Sequence, residues 1–461
     1  MTATAHEHLL LHFTSNGLFA PGGRELLVIE RGEGPYVYDT SGRRLLDAMS
    51  GIACTQLGHG DPYAAELAEA AREQMAKLAF NTVWSMAHPA AIELSDVLAG
   101  LAPEGIDKVF FTSGGADSVE AAWKLVRQYH VMNGEPQRTK AIARRSAYHG
   151  VTLGALSFTG IPAFKEPFGR PAVPTRHVSP TNAFRSDESE GELCQRLLDE
   201  VEEVILAEGP ETVAMLIAEP VQNGGGCFTP PAGYWPGLRE IADRHGLLLV
   251  ADEVISGMGR IGEWFAVAKY GATPDLITIA KGLTSAYAPM GAVMVSERVA
   301  APFYEEGRTL LHGITFAGHP LCAAIALKNL EIFRRDGILE GVRARAPYLH
   351  AALERLRELA IVGDVRGDGF FWAIELVKDE QDGRFEPDEV AFLVKRHLPA
   401  AFLERGLIAR ADDRGDPVVQ IAPPLICEEP VLDEIVATIG AVLEETGKRM
   451  LTGATSGSVS G

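Results

Sequence analysis

Through the middle of the chain, short apolar runs of β type alternate with longer stretches of helical periodicity. VFFTSGG (109–115) precedes a helical stretch from Asp117 to Val131. VAMLIAEPV (213–221) precedes another near 233–245, and LLLVADEV (247–254), LITIAKG (276–282) and AVMVSERV (292–299) follow. Strands that are apolar throughout and separated by helices predict a sheet covered on both faces, hence a largely parallel α/β domain. Two long helical patterns come next, at about 319–336 and 338–360, and the last third mixes helix with the β-type runs FFWAIELV (370–377) and VVQIAPPL (418–425). The predicted organisation is a large α/β domain over 61–325 and a smaller α+β domain built from both ends of the chain. The small domain combines the N-terminal segment 1–60 with 326–451, and the small, polar residues of 452–461 (TGATSGSVSG) read as a flexible tail.

Composition supports a folded protein. Hydrophobic residues make up 46% of the 461 and charged residues 23%, enough for a sizeable core and too apolar for a disordered chain. Sixty-two acidic residues against 42 Lys plus Arg give a net charge of −20, which argues against nucleic acid or an anionic membrane as the partner. Five cysteines without a C-x-x-C fit a reducing compartment and provide neither a disulfide framework nor a zinc knuckle. The start, MTATAHEHLLLHF, does not read as a signal peptide, and no apolar stretch approaches the roughly 18 residues of a membrane span. These features predict a soluble, cytoplasmic protein.

Four places carry candidate chemistry. Lys281 ends the apolar run LITIA, where burial would lower the pKa of its ammonium toward the neutral amine that imine chemistry needs. A lysine snorkelling at a strand end is the ordinary alternative. Asp252 ends LLLVA and needs a cationic or donor partner, for which a pyridinium nitrogen, a salt bridge or a helix cap would serve. Thr112-Ser113-Gly114-Gly115-Ala116-Asp117 links a strand to a helix through small residues, either as a plain turn or as a cradle whose N–H groups hold a phosphate. Tyr148, in YHG after the strand-like KAIARRSA, is either a core tyrosine or an aromatic face for a planar ring. Together the four are the parts that a pyridoxal 5′-phosphate (PLP) site requires.

With these residues in view, the chain resembles the class III aminotransferases of PLP fold type I, in their ω-transaminase (amine–pyruvate) branch. The resemblance runs from RGEGPYVYD (31–39) to VVQIAPPL (418–425) and is carried most strongly by FTSGGADSVEAA, YHGVTLGA, AEPVQNGGG, VADEVISGMGRIGEWFA, AKGLTSAYAPMGAV and GITFAGHPLCAA. It implies that Lys281 binds the cofactor aldehyde and acts as catalytic base, with Asp252 as the partner of the ring nitrogen. Val254 and Tyr148 would flank the ring, Gly114, Gly115 and Ala116 would shape and hold the phosphate site, and Glu219 would lie nearby as a polar support. Thr315 would reach the phosphate of a neighbouring subunit, so a homodimer with sites at the subunit interface is implied. Arg410, in GLIARADD, matches the mobile arginine that grips a substrate carboxylate. Ala53, Val83 and Trp84 fall in segments that line the substrate pocket, Val83 and Trp84 being contributed by the partner, with Phe13 or Phe19 at its rim.

Departures from relatives refine these expectations. Ala116 stands where many have Ser, which removes a hydroxyl contact to phosphate. Ile255 replaces the Gln of enzymes acting on GABA or ornithine, and Gly224 replaces the Glu with which GABA-type enzymes pair an arginine. Ala53, where several ω-transaminases carry Trp, and Val83 suggest a wider cavity for bulkier amines.

Other signals are weaker. Gly257-Met258-Gly259-Arg260-Ile261-Gly262 fits G-x-G-x-x-G, but Asp252 and Glu253 intervene after the strand, GEWF is a poor helix start, and Asp275 falls too early for a Rossmann site. His6-Glu7-His8 lacks the spacing of H-E-x-x-H, and the acidic stretch from Asp187 to Glu203 reads as a solvated helix face. The expected activity is PLP-dependent ping-pong transfer of an amino group from a primary amine or ω-amino acid to a keto acid, pyruvate first. The alternatives are a 2-oxoglutarate-dependent transaminase, an aminomutase, a decarboxylating transaminase, a silent binding protein on the same fold, and, from a different class, an NAD(P)-dependent oxidoreductase.

Overall fold

The computed structural model describes residues 2–20, 22–379 and 383–451. Its centre is a seven-stranded sheet. In spatial order the strands are Ile106–Thr112, Gly291–Ser296, Leu276–Ile279, Leu248–Asp252, Val213–Ala218, Lys140–Arg144 and Thr175–Val178. The middle strands are buried at every position, as their unbroken apolar runs require of a sheet with helices on both faces.

One strand departs from the parallel pattern. Gly291–Ser296 runs antiparallel to both of its neighbours. It follows Leu276–Ile279 through the loop 280–290, which carries only one short helical turn, Lys281–Leu283. A parallel return requires a crossover of a dozen or more residues and usually a full helix, so the chain turns straight back instead.

The helix predicted from Asp117 begins earlier and spans Gly115–Met132, so Gly115 and Ala116 belong to its first turn. The pattern over 338–360 resolves into the helix Ile338–Glu354 and a short turn, Arg355–Glu358. The segment 257–262 forms turns, and only the four-residue helix Ala266–Lys269 follows, so it supplies no dinucleotide-type helix N-terminus. Arg260 within it is buried and donates to the carbonyl of Phe370 at 3.2 Å and to Ser50 Oγ at 3.0 Å, which is a structural use of the turn.

Two smaller sheets flank the centre. Ile29–Glu33, Tyr36–Asp39 and Arg44–Asp47 form one with Leu407–Ile408, joining distant parts of the chain. Val362–Asp368, Phe371–Leu376, Val418–Ile421 and Arg410–Asp412 form the other, antiparallel throughout. Arg410 therefore sits on an edge strand. The tail expected over 452–461 lies outside the described residues. Among the described residues, no helix is long and apolar enough to cross a membrane.

Candidate active site

The carboxyl ends of the parallel strands converge on one cavity of about 160 Å3. This is where an open α/β sheet places ligands, because the loops leaving those ends splay apart. Gly115, Ala116, Tyr148, Glu219, Asp252, Val254, Ile255 and Lys281 all face it, together with His149 and Gly150.

The turn after Thr112 brings the start of the helix Gly115–Met132 to the cavity wall. The first-turn N–H groups of a helix have no partner within it, and the helix dipole favours an anion there. Side-chain volume is excluded around that turn: a Cβ on Gly115 would lie 2.7 Å from Val254 Cγ1. Gly150 takes φ +112°, and a Cβ there would lie 2.7 Å from Ala116 Cβ. The two glycines let the helix start, the Tyr148 loop and the exit after Asp252 close on one another.

Asp252 is buried at the end of its strand, and both of its carboxylate oxygens are engaged. Oδ1 accepts from Thr278 Oγ1 at 3.0 Å and from the N–H of Val254 at 3.2 Å. Oδ2 lies 2.7 Å from Nδ1 of the buried His149, whose Nε2 has no partner among the described residues. Three donors thus fix the orientation of the carboxylate at the cavity. Glu219 is also buried, accepting from the N–H of Tyr148 at 3.1 Å and from the N–H of Asn223 at 2.9 Å. Burial pushes its pKa above the usual carboxylate range, and its role here is to hold the loop that carries Tyr148. Burial also raises the Tyr148 phenol.

Lys281 stands two residues beyond the strand Leu276–Ile279, in the left-handed region at φ +43°. Burial lowers its pKa to about 8, against the opposing pull of Cys54 and Asp252. Among the described residues its amine makes no hydrogen bond or ion pair, so a reactive nitrogen faces the cavity without a partner. The residues fit PLP: an unpaired amine of lowered pKa for the aldehyde, an oriented carboxylate for the ring nitrogen, and a glycine-lined helix start for the phosphate.

Gly114 precedes the helix in extended conformation, at φ 174°. Ala53 is buried in a small apolar cluster with Val221, against which Ile255 packs, behind the cavity wall. Arg410 lies 3.3 Å from Asp412 through its Nε. Val83, Trp84 and Thr315 are not brought to the Lys281 cavity within this chain. Val83 and Trp84 line a separate depression of about 750 Å3 together with Gly313 and Ile314, and the exposed Thr315 follows directly in sequence. Phe13 touches Phe164, with ring centroids 5.2 Å apart, and Phe164 in turn meets Tyr148 edge-on at 6.3 Å.

The sequence alone assigns no role to His149, Thr278, Asp412 or Arg414. Thr278 had a visible signal, a lone hydroxyl in the apolar run LITIA. His149 adjoins Tyr148, but its partner Asp252 is 103 residues away, and nothing local announces that bond.

The model of the family Aminotransferase class-III matches residues 18–443. A probable aminotransferase of Mycobacterium tuberculosis is 47% identical over 452 residues, covering 97% of this chain and 95% of that relative. The putrescine–pyruvate aminotransferase of Pseudomonas aeruginosa is 38% identical over 455 residues, 97% of each. The crystal structure of an (S)-enantioselective omega-transaminase from Thermomicrobium roseum superposes with a TM-score of 0.91 at 41% identity, over 96% of this chain and 98% of that one. With the family model matching most of the chain and relatives of this similarity covering nearly all of it, the chain belongs to the class III aminotransferases, enzymes of fold type I that use PLP to transfer amino groups.

Proposed function

We propose that the enzyme transfers the amino group of a primary amine or ω-amino acid to a keto acid, pyruvate first, by a ping-pong mechanism. The observation that carries this reading is the convergence of Lys281, Asp252 and the Gly115 helix start on a single cavity. The putrescine–pyruvate aminotransferase among its relatives supports pyruvate as acceptor. When bound, PLP supplies an aldehyde that takes up the amino group and a ring that accepts the electron pair left on the substrate carbon.

In this reading Lys281 holds the cofactor until the amine displaces it. Once released, its Nζ would serve as the general base for the proton on the substrate carbon, a task suited to an amine whose pKa burial lowers to about 8. Asp252, steadied by His149 and Thr278, would hold the ring nitrogen in its protonated form. The N–H groups of Gly115 and Ala116 bind the phosphate, with Gly114 shaping the turn, and Tyr148 and Val254 enclose the ring. Glu219 keeps Tyr148 in place through the backbone. Arg410 binds the keto-acid carboxylate in one half-reaction and vacates the site for the amine in the other. Ala53, Val83 and Trp84 shape the substrate pocket, with Val83, Trp84 and the phosphate-binding Thr315 supplied by the second subunit of a homodimer. Free cysteines throughout support a cytoplasmic setting.

The test is the visible absorption of the PLP-loaded enzyme during sequential additions. A panel of amines is added first, then pyruvate or 2-oxoglutarate. The cofactor band is expected to bleach with an amine and to return with pyruvate, while Lys281→Ala neither forms the same band nor turns over. Return with 2-oxoglutarate alone would replace the acceptor. Turnover without any keto acid would favour an aminomutase or a decarboxylating chemistry.

A further inference from the structure

Beside the cavity, one buried carboxylate serves two guanidinium groups. Asp412 ends the edge strand Arg410–Asp412 and is 4% exposed. Arg414 grips it closely: its Nε lies 2.8 Å from both Oδ1 and Oδ2, its own N–H reaches Oδ1 at 2.9 Å, and a terminal nitrogen also meets Oδ2. The Arg414 side chain is only 5% exposed. Arg410 is held far more loosely, by one contact from Nε to Oδ2 at 3.3 Å, and its side chain is 32% exposed.

The pair is tied to the active site on two sides. The Arg414 guanidinium lies 5.9 Å from the centroid of the Tyr148 ring, within reach of a cation–π contact. The turn that carries it rests on the glycine loop beyond Glu219, where a Cβ on Gly415 would lie 3.1 Å from the Cα of Gly225. Arg414 is therefore fixed. Arg410 shares its counter-ion and is the group free to leave.

That asymmetry matters for a residue that must alternate between two positions. Withdrawing the partner of a buried carboxylate is costly when nothing replaces it. Here a second cation stays on Asp412 when Arg410 departs, and the like charge of Arg414 weakens the hold on Arg410 in the resting position. We infer that Asp412 and Arg414 act as a clasp of positioning residues: Asp412 defines where Arg410 rests, and Arg414 keeps Asp412 paired while Arg410 turns to a substrate carboxylate. This rests on the reading of Arg410 as the carboxylate-binding residue.

The test uses PLP-loaded enzyme, one fixed amine donor and two acceptors, pyruvate and propanal, the second lacking a carboxylate. The readout is the ratio of KM for pyruvate to KM for propanal, with kcat followed alongside. R414Q leaves Arg410 as the only cation on Asp412 and should raise the ratio about fivefold or more, which corresponds to holding Arg410 back by about 1 kcal/mol. D412N removes the resting partner and should lower the ratio. R414K restores the charge without the two-pronged grip and should fall between wild type and R414Q; it carries the test if R414Q does not fold. A raised ratio in R410Q combined with wild-type ratios in R414Q, R414K and D412N would overturn the clasp and leave the role of Arg410 intact. A wild-type ratio in R410Q would remove the reading on which the clasp rests, and a raised ratio in R414Q alone would make Arg414 the carboxylate binder and overturn both.

Discussion

Lys281 combines two unfavourable features, a left-handed backbone at φ +43° and an amine shut away from solvent. A side-chain-bearing residue is uncommon in that region of φ, and strain of this kind persists only where the surroundings enforce it. The enforcement is visible on both sides, in the buried strand that ends at Ile279 and in Gly282, where a Cβ would lie 2.5 Å from Gln56 Nε2. The gain is a far larger share of neutral amine near physiological pH than an ordinary lysine offers. Protonation blocks the lone pair, so the apoenzyme should capture PLP about tenfold faster for each pH unit gained below about 8, and level off above it. Stopped-flow reconstitution across pH checks this. A rise continuing toward 10.5, the ordinary lysine value, would show that burial does not set the reactivity of Lys281.

At the level of elements, the site depends on loops meeting where their strands end. Glycine decides whether they can meet. Gly150 has both a φ of +112° and no room for a Cβ, whereas Gly100 lies on an exposed face of the helix Pro89–Leu101 with nothing within 4 Å of an added Cβ. Gly150→Ala should therefore destabilise the protein by roughly 1–3 kcal/mol and weaken PLP binding, because the Ala116 turn must shift. Gly100→Ala should hold or raise the melting temperature, because alanine is favoured over glycine in a helix by about 1 kcal/mol. Melting temperatures and PLP titrations of the two variants compare these effects directly; equal melting temperatures would contradict the steric argument. The elements themselves were legible in the sequence for the same reason that they are stable. A strand buried on both faces leaves an unbroken apolar run, and a polar residue closing such a run, as Asp252 and Lys281 do, stands out from it. A snorkelling lysine or a capping aspartate explains either one alone, and only the combination with the Gly114 turn and Tyr148 points to a site. Direction was not legible, since the run AVMVSERV reads alike whichever way it pairs, and only the length of loop 280–290 turns it antiparallel. Arg414 and His149 escaped notice because their importance lies in tertiary neighbours: Tyr148 is far from Arg414 in sequence, as Asp252 is from His149.

For the whole molecule, one surface is out of keeping with an isolated chain. Leu311 is 82% exposed and Trp84 55%, and with Val83, Ile92, Phe111 and Ile314 they surround the depression of about 750 Å3. Contiguous apolar surface of this kind marks a contact with another molecule. Val83, Trp84 and Thr315, which the resemblance expects a second subunit to contribute, lie on or beside this surface and away from the Lys281 cavity of their own chain. Dimerisation through it would account for both facts: the apolar face is covered, and residues useless to their own site reach the opposite one. Leu311→Asp tests this, because it puts a charge into the face at a position that does not line the Lys281 cavity of its own chain. Sedimentation velocity should give a dimer for wild type and a shift toward monomer for the variant, with PLP affinity and turnover falling in step as the partner's Thr315 is lost. A wild-type protein that sediments as a monomer and still binds PLP and turns over would show that one chain completes the site alone, and the apolar face would then need another occupant.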